Sequence, residues 1–483
     1  MNSPLIKLFS LTLLAVSFLS VPAYGETKTN LLIIMTDDQG RWTLGEYDKR
    51  IKTPNIDYLA QQGVRFDQAI SPVPVCSAAR ASFMTGRMPS QHGVHDFLSD
   101  GDSDENDWLN GELLLSKVFQ NQGYRVGLFG KWHANPRGWK PVRGFDRWLC
   151  YDERKLGWVN QYAHSGTVHF SRDGKSESFT GVQARFLTEE AIRFIDEEDE
   201  RPFVTFLNFI EPHFPFAGLP ERLVSGYRPI AREIVAAGGV SKLARSNGST
   251  DSVPEHFEQL AQYLAAVSLV DDQVGRMLDA LEGRDLLKNT VILFTSDHGH
   301  MTGQYGLYGK GNGSSPQNLY QESINIPLIV YGPQAMIEAG QVRTEFVTLC
   351  DLFPTLIELT GGSVPQQYDG PGESLISLLQ GRRSTELRPF QFAEYGNARM
   401  IHNGRWKLIR YHQKDAKSPP KDLWFDLVHP LGEAMPSAPP SQAQQHVLTH
   451  ELETFFSEIE TEEHSGRRIW DLPKHNGNEP WRK

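Results

Sequence analysis

The sequence predicts an α/β fold, a mixed and mostly parallel sheet flanked by helices, with a smaller C-terminal antiparallel-sheet subdomain. Three observations predict it. Short apolar runs rich in β-branched residues alternate with amphipathic helical patterns through most of the chain, and such alternation builds parallel sheets covered on both faces. Several of those runs end in charged and imidazole side chains, where open α/β sheets bind ligands. After about Arg388 the runs become closely spaced and turn-linked, the texture of antiparallel strands.

Taken in order, Leu31-Leu32-Ile33-Ile34-Met35 reads as a buried strand before the turn-like Asp37-Asp38-Gln39-Gly40. Val126 to Phe129 precedes Gly130-Lys131-Trp132-His133, and Phe203 to Phe209 precedes Glu211-Pro212-His213. Val291 to Thr295 precedes Ser296-Asp297-His298-Gly299. A helix is expected from about Pro254 to Glu282, where Leu264, Val267, Val274, Leu278 and Leu281 recur at helical spacing and Gly283 marks the stop. The stretch from Ala217 to Ser252 scatters Gly, Pro, Arg and Ser and reads as a surface insertion. Phe390 to Tyr395, Ala398 to Ile401, Trp406 to Tyr411 and Leu423 to Asp426 read as C-terminal strands with a turn at Asn403-Gly404. A helix from about Gln445 to Ile459 would cover them. The main domain is therefore expected over 26–387 and the α+β subdomain over 388–483.

Residues 1–25 are of a different kind. Lys7 precedes an apolar stretch from Leu8 to Val21, and Ala23-Tyr24-Gly25 supplies small residues at a cleavage site. The stretch is too short for a stable membrane span, so a cleaved signal peptide and a periplasmic or secreted protein are expected, with no stable membrane insertion after cleavage. Of the 483 residues, 39% are hydrophobic and 22% charged, the composition of a soluble globular protein. A formal net charge of -11 argues against nucleic-acid binding, and a polyanionic substrate would need a local basic pocket. Three cysteines, Cys76, Cys150 and Cys350, make no disulfide framework for an exported protein.

Asp37-Asp38 and Asp297-His298 fall at two strand ends, three carboxylates and an imidazole on one rim. Adjacent carboxylates repel and are costly to desolvate unless a cation lies between them. An oxygen-rich set suits a hard divalent ion, calcium before magnesium, with the imidazole an atypical ligand. Taken alone, Asp37-Asp38 reads better as a turn and Asp297-His298-Gly299 as a helix cap; two such pairs at strand ends in one chain reverse this and favour a metal.

The most specific segment is Cys76-Ser77-Ala78-Ala79-Arg80, followed by Thr85-Gly86-Arg87. It resembles the sulfatase signature, and the resemblance continues in the family's order through Asp37-Asp38, Gly130-Lys131-Trp132-His133, Glu211-Pro212-His213-Phe214-Pro215, Ser296-Asp297-His298-Gly299, Gly309-Lys310-Gly311, Tyr320-Gln321-Glu322-Ser323, Ile326-Pro327-Leu328 and Arg405-Trp406-Lys407-Leu408. The resemblance implies an alkaline-phosphatase-like fold and one Ca2+ held by Asp37, Asp38, Asp297, His298 and the modified residue 76. It also implies a maturation enzyme that oxidises Cys76 to formylglycine, whose hydrate carries two hydroxyls on one carbon. One attacks sulfur; the other loses its proton as the aldehyde re-forms and sulfate departs, a release that serine could not provide. Carried over with it, Lys131 and Lys310 bind the sulfate oxygens, Arg80 orients the hydrate, and His133 accepts the proton of aldehyde regeneration. His213 would hydrogen-bond the sulfate and protonate the leaving oxygen, a role Lys310 could share.

The sequence departs from the family pattern at Ala78 and Ala79, where Pro and Ser are usual, which bears on the maturation system that can act. His298 stands where Asn is frequent, Tyr305 where His is frequent, and His429-Pro430-Leu431-Gly432-Glu433 replaces an acidic turn. Two other readings stay open. One is a phosphatase or phosphonate monoester hydrolase of the same fold; the other is a non-catalytic exported glycan-binding relative in which Cys76 stays a thiol. Export and the aromatic residues Trp132, Trp139, Trp148 and Trp158 point to a sulfated carbohydrate as substrate, although these tryptophans fit a core equally well.

Overall fold

The central strand, Asn30–Thr36, is buried along its whole length, as its near-continuous apolar run requires of a strand covered on both faces. A computed structural model describes residues 28–98, 107–135, 138–152, 154–155, 164–236, 245–246, 253–382, 388–415, 417–472 and 479–482. The expected signal peptide, Trp158, much of 237–252 and the expected boundary at 387 lie outside the described residues. The principal elements are β1 (Asn30–Thr36), α1 (Pro54–Gln62), β2 (Val64–Phe66), α2 (Cys76–Thr85), α3 (Leu115–Asn121), β3 (Arg125–Gly130), β4 (Arg147–Tyr151), β5 (Ser165–Arg172), β6 (Lys175–Val182), α4 (Gln183–Ile195) and β7 (Phe203–Asn208). They continue with α5 (Glu221–Ala236), α6 (Val253–Glu282), β8 (Thr290–Ser296), β9 (Leu328–Tyr331), β10 (Gln341–Arg343), α7 (Leu352–Leu359), β11 (Gln391–Tyr395), β12 (Ala398–His402), β13 (Trp406–Tyr411), β14 (Lys421–Asp426) and α8 (Gln442–Ile459).

Ten strands form one sheet in the order β10-β2-β9-β8-β1-β7-β3-β4-β5-β6. The five central strands, β8 to β4 in that order, run parallel. The β5–β6 hairpin on one side and β9 on the other pair antiparallel. Alternation along β1 sets the layers. Leu31, Ile33 and Met35 face α2, α3 and α7, while Leu32 and Ile34 face α1, α4 and α6. A slip of one residue would exchange the two sets, so packing on both faces fixes the register. That register pairs Thr36 with Ser296 and therefore brings Asp37 beside Asp297.

The expected strand-end positions hold, and the long helix spans Val253–Glu282. The stretch from Ala217 to Ser252 is not all surface insertion. Glu221–Ala236 is helical, and its Val224, Tyr227 and Ala231 pack against Leu260, Tyr263 and Leu264 of α6. Gly226 and Pro229 lie inside that helix and weaken its signal in the sequence. Trp132 and Trp148 are core, 2% and 1% exposed, and Arg154 stacks on the partly buried Trp139. Among the described residues no helix is long and apolar enough to cross a membrane.

Strands β11–β14 form a separate four-stranded antiparallel sheet, with Ile401, Leu408 and Trp424 packed on Leu448, Leu452 and Phe456 of α8. A buried ion pair ties this sheet to the main body. Lys407 Nζ lies 2.6 Å from Glu433 Oε1, and Glu433 Oε2 accepts the Gln321 N–H at 2.6 Å. Glu433 belongs to the segment that departs from the family pattern, and the buried pair is what it contributes. Removing one partner strands the other charge in a dry interior, at a cost of about 3–5 kcal/mol. Glu433→Ala should therefore lower the urea midpoint strongly, whereas Lys407→Met with Glu433→Leu should recover most of the loss; equal losses in both proteins would disprove this role.

Candidate active site

Four parallel strands deliver the site. β1 ends in Asp37 and Asp38, β8 in Asp297 and His298, β3 in Lys131 and His133, and β7 leads to His213. Backbone bonds lock these ends together: Asp297 N–H donates to Thr36 O at 3.2 Å, and Lys131 N–H to Asn208 O at 2.9 Å. Gly130 is required at the last of these, because a Cβ there would lie 1.9 Å from Asn208 O. Asp38 and His133 both adopt positive φ, 63° and 52°, a conformation that costs a non-glycine residue free energy and that recurs at functional sites. Tyr263 holds the Asp38 turn, donating from its hydroxyl to Asp38 O at 2.8 Å and accepting from Gly40 N–H at 3.2 Å.

Cys76 opens helix α2, every residue of which is buried. The small side chains of Ala78, Ala79 and Ala81 let that helix sit tightly in the core. Cys76 Sγ lies 2.8 Å from Lys310 Nζ and 3.3 Å from His298 Nε2. Lys310 also reaches Asp38 Oδ1 at 2.6 Å, and Lys131 Nζ pairs with Asp37 Oδ2. Arg80, one turn along α2, donates from Nε to Asp297 Oδ2 at 2.9 Å and from Nη1 to Lys131 O at 3.0 Å. His298 Nε2 is 3.3 Å from Asp38 Oδ1, and His213 Nε2 is 3.9 Å from Asp38 Oδ2. His133 Nε2 donates to Leu98 O at 2.8 Å. All ten residues singled out in the sequence thus converge.

The charges are strongly coupled. Burial resists ionisation of the Cys76 thiol, but Lys131, Lys310 and His298 outweigh it and hold the thiol well below its ordinary range. Burial likewise opposes the Asp38 carboxylate, and Lys310 and His213 overcome it. Asp297 is pushed up to about 6 by burial and by the charge of Asp37. Burial, then Lys131, lowers His133 and keeps it neutral at pH 7. For His213 the attraction of Asp38 and Asp37 exceeds the effect of burial and raises it.

The ligand atoms of Asp37, Cys76, Asp297 and His298 lie within 4.8 Å of one another, as do those of Asp37, Asp38, Cys76 and His213. Asp37 Oδ1 is buried without a hydrogen bond. The raised Asp297 and this bare oxygen both mark a carboxylate set that further positive charge would relieve, so the residues fit a hard divalent cation.

Residues 29–363 match the sulfatase family, and residues 303–427 match the C-terminal part of N-sulphoglucosamine sulphohydrolase. The chain belongs to the sulfatase family, the hydrolases of sulfuric esters. It is 27% identical over 368 residues to an ulvan-active sulfatase of Formosa agariphila, a match covering 73% of this chain and 65% of that protein; the chain thus spans just under two thirds of that relative. An arylsulfatase of Clostridium perfringens is 27% identical, over 74% of this chain and 80% of its own. An N-acetylglucosamine-6-O-sulfatase of Bacteroides thetaiotaomicron is 24% identical, over 87% of each chain. The fold matches a structure solved with its substrate D-glucosamine-2-N,6-O-disulfate, at TM-score 0.72 and 21% identity over 90% of this chain and 99% of that one. It also matches a phosphonate monoester hydrolase of Agrobacterium radiobacter, at TM-score 0.67 and 23% identity over 89% and 95%. At these identities the solved structures speak to fold alone.

Sequence reasoning missed His300, whose Nδ1 lies 3.3 Å from Asp38 Oδ2; its place two residues after His298 was the available signal. It also missed Asn318, which donates to Lys310 O at 3.1 Å and accepts from Ser323 Oγ at 2.7 Å, and so steadies the lysine loop. In this sulfatase Arg80 is 2% exposed and neutralises Asp297. Arg80→Met should leave that carboxylate unpaired and cost about 3–5 kcal/mol, seen as a large fall in the thermal midpoint. An unchanged midpoint would refute the pairing.

Proposed function

We propose that this sulfatase is exported, acts on a sulfated carbohydrate, binds one calcium ion, and works through a formylglycine made from Cys76 by a separate maturation enzyme. The observation that carries the reading is the position of Cys76 Sγ, 2.8 Å from Lys310 Nζ and within the cluster of Asp37, Asp297 and His298. A structural cysteine would be placed like Cys350, whose thiol burial pushes well above its ordinary range. Support for a carbohydrate substrate comes from the relatives named for ulvan and N-acetylglucosamine 6-O-sulfate. Support for export comes from the signal-like residues 1–25.

Asp37, Asp38, Asp297 and His298 would hold the ion together with residue 76. When bound, calcium supplies positive charge that draws the anionic ester in and makes a hydroxyl beside it a better nucleophile. Once modified, residue 76 would supply two hydroxyls on one carbon, one to take the sulfuryl group and one whose proton loss would release sulfate without water attacking sulfur.

The chain's own side chains do the rest. Lys131 and Lys310 are held by Asp37 and Asp38, aimed at the position of residue 76, and bind the sulfate oxygens as their charge grows. Arg80, pinned by Asp297 and by Lys131 O, keeps the first turn of α2 and the lysine strand end in one geometry. His133 donates its Nε2 proton to Leu98 O, which leaves Nδ1 as the acceptor, and the neutral ring can take a proton from residue 76. His213, raised by Asp38 and Asp37 despite its burial, gives a proton to the departing alcohol. Phosphate and phosphonate esters remain the comparison that tests specificity.

Chelation should abolish sulfate release, and added Ca2+ should restore it and raise the thermal midpoint. A site filled at a hundred times its Kd adds about 2.7 kcal/mol. Retained activity after exhaustive chelation would exclude the ion. Lys310→Ala in fully modified protein should lower kcat by about 10²–10³-fold; mass spectrometry of the peptide carrying residue 76 must first show the aldehyde. An unmodified thiol in active native-host protein, or higher kcat/KM for phosphate esters than for sulfate esters, would overturn this reading.

A further inference from the structure

Beside the carboxylate–lysine cluster lies a cavity of about 230 Å3. Three links tie it to the reacting position. Phe214 follows His213, Gly309 precedes Lys310, and His300 stands 3.3 Å from Asp38. The cavity is walled by Phe214, Phe216, His256, Leu260, His300 and Tyr308. Its aromatic walls are built, not incidental. The rings of His256 and Tyr308 pack at a tilt of 30° with centroids 4.0 Å apart, and His300 stacks on Tyr263 at 5.5 Å. Phe216 meets both Tyr263 and His300 edge-on at 5.8 and 5.9 Å. Phe214 meets Phe216 edge-on with ring centroids 6.0 Å apart and keeps 41% of its surface exposed. Gln259 and Thr302 add polar groups to the lining. Among the described residues that line the cavity none is Lys, Arg, Asp or Glu.

Building on the sulfatase reading, we propose that this cavity receives the alcohol half of the substrate, and that the alcohol is a single neutral sugar ring carrying one sulfate and no second anionic group. Size favours one ring, since pockets for larger ligands run to roughly 300–1,000 Å3. Chemistry favours a sugar. The faces of Phe214 and Tyr308 cover the apolar C–H face of a pyranose, while Gln259 and Thr302 offer partners to its hydroxyls. Charge excludes a polyanion. A carboxylate or second sulfate entering this lining would be desolvated, and among the described residues that line it none is a Lys or Arg to meet it, while a chain of formal net charge -11 repels it at long range. His256, Gln259 and Tyr308 are then specificity-determining residues, distinct from those that handle the sulfate.

The test is sulfate-release kinetics of the matured holoenzyme. The substrates are a monosaccharide sulfated once and otherwise neutral, the same sugar with a second sulfate, a sulfated uronic acid, and a small aryl sulfate. The neutral monosulfated sugar should exceed both anionic sugars in kcat/KM by about a hundredfold or more and should exceed the aryl ester. Tyr308→Ala should raise KM for the neutral sugar about tenfold with a smaller change in kcat, and Tyr308→Phe should restore it. Gln259→Arg, on a partly exposed helix position, should narrow the gap to the anionic sugars, and carries the test if Tyr308→Ala does not fold. Equal or better turnover of the anionic sugars or of the aryl ester, or a folded Tyr308→Ala with unchanged KM, overturns this proposal alone. No sulfate release from any of the esters by modified enzyme overturns the sulfatase reading, and this proposal with it.

Discussion

Three buried carboxylates at neighbouring strand ends are tolerable only because positive charge is built in around them. Asp37, Asp38 and Asp297 are at most 2% exposed, and like charges at that spacing and burial repel strongly. Lys131, Lys310 and Arg80 answer them one for one, and each comes from a different part of the chain. Much of the molecule exists to hold these six groups in place. The parallel register of β1 and β8 sets the carboxylates together, the Gly130 turn admits Lys131, and α2 presents Cys76 and Arg80 one turn apart on the same face.

This arrangement makes residue 76 the point where the opposed charges meet. A thiol there is drawn toward its anion by Lys131, Lys310 and His298 against the effect of burial. The property that matters is the field at that point, which acts equally on whatever oxygen replaces the sulfur. Electrostatic preorganisation of this kind needs no rearrangement when negative charge develops, because the side chains are already locked by bonds to strand ends and backbone carbonyls.

Much of this was legible in the sequence because strand ends announce themselves. An apolar run that stops at Asp37-Asp38 or Asp297-His298 gives both the element and the position of its polar residues, and the parallel-sheet rule places those residues on one rim. Lys310 and Arg80 were readable only through motif resemblance, since an isolated lysine or arginine has no pattern that separates it from a surface residue. Tertiary context hid the rest. Helix α5 carries Gly226 and Pro229 in its interior, so its period is broken where its packing is not. The β5–β6 hairpin alternates weakly, with β6 half-exposed throughout. The buried Lys407–Glu433 pair joins residues of opposite sign that hydropathy assigns to the surface, and only the fold brings them together.

The cation ring and the aromatic cavity divide a substrate between them. On the proposed reading the three carboxylates and three fixed cations cancel, so a divalent ion leaves the sulfate end of the pocket net positive, and an anionic ester is attracted to that end alone. The neighbouring lining of Phe214, Phe216 and Tyr308 offers nothing to charge and much to an apolar ring face. An ester with its charge at one end and a neutral ring at the other therefore enters in one orientation. Reversed, it would bury the sulfate among aromatic rings and leave the ring against lysines. Orientation of the scissile bond thus follows from the polarity gradient across the pocket, before any contact with the leaving oxygen is made.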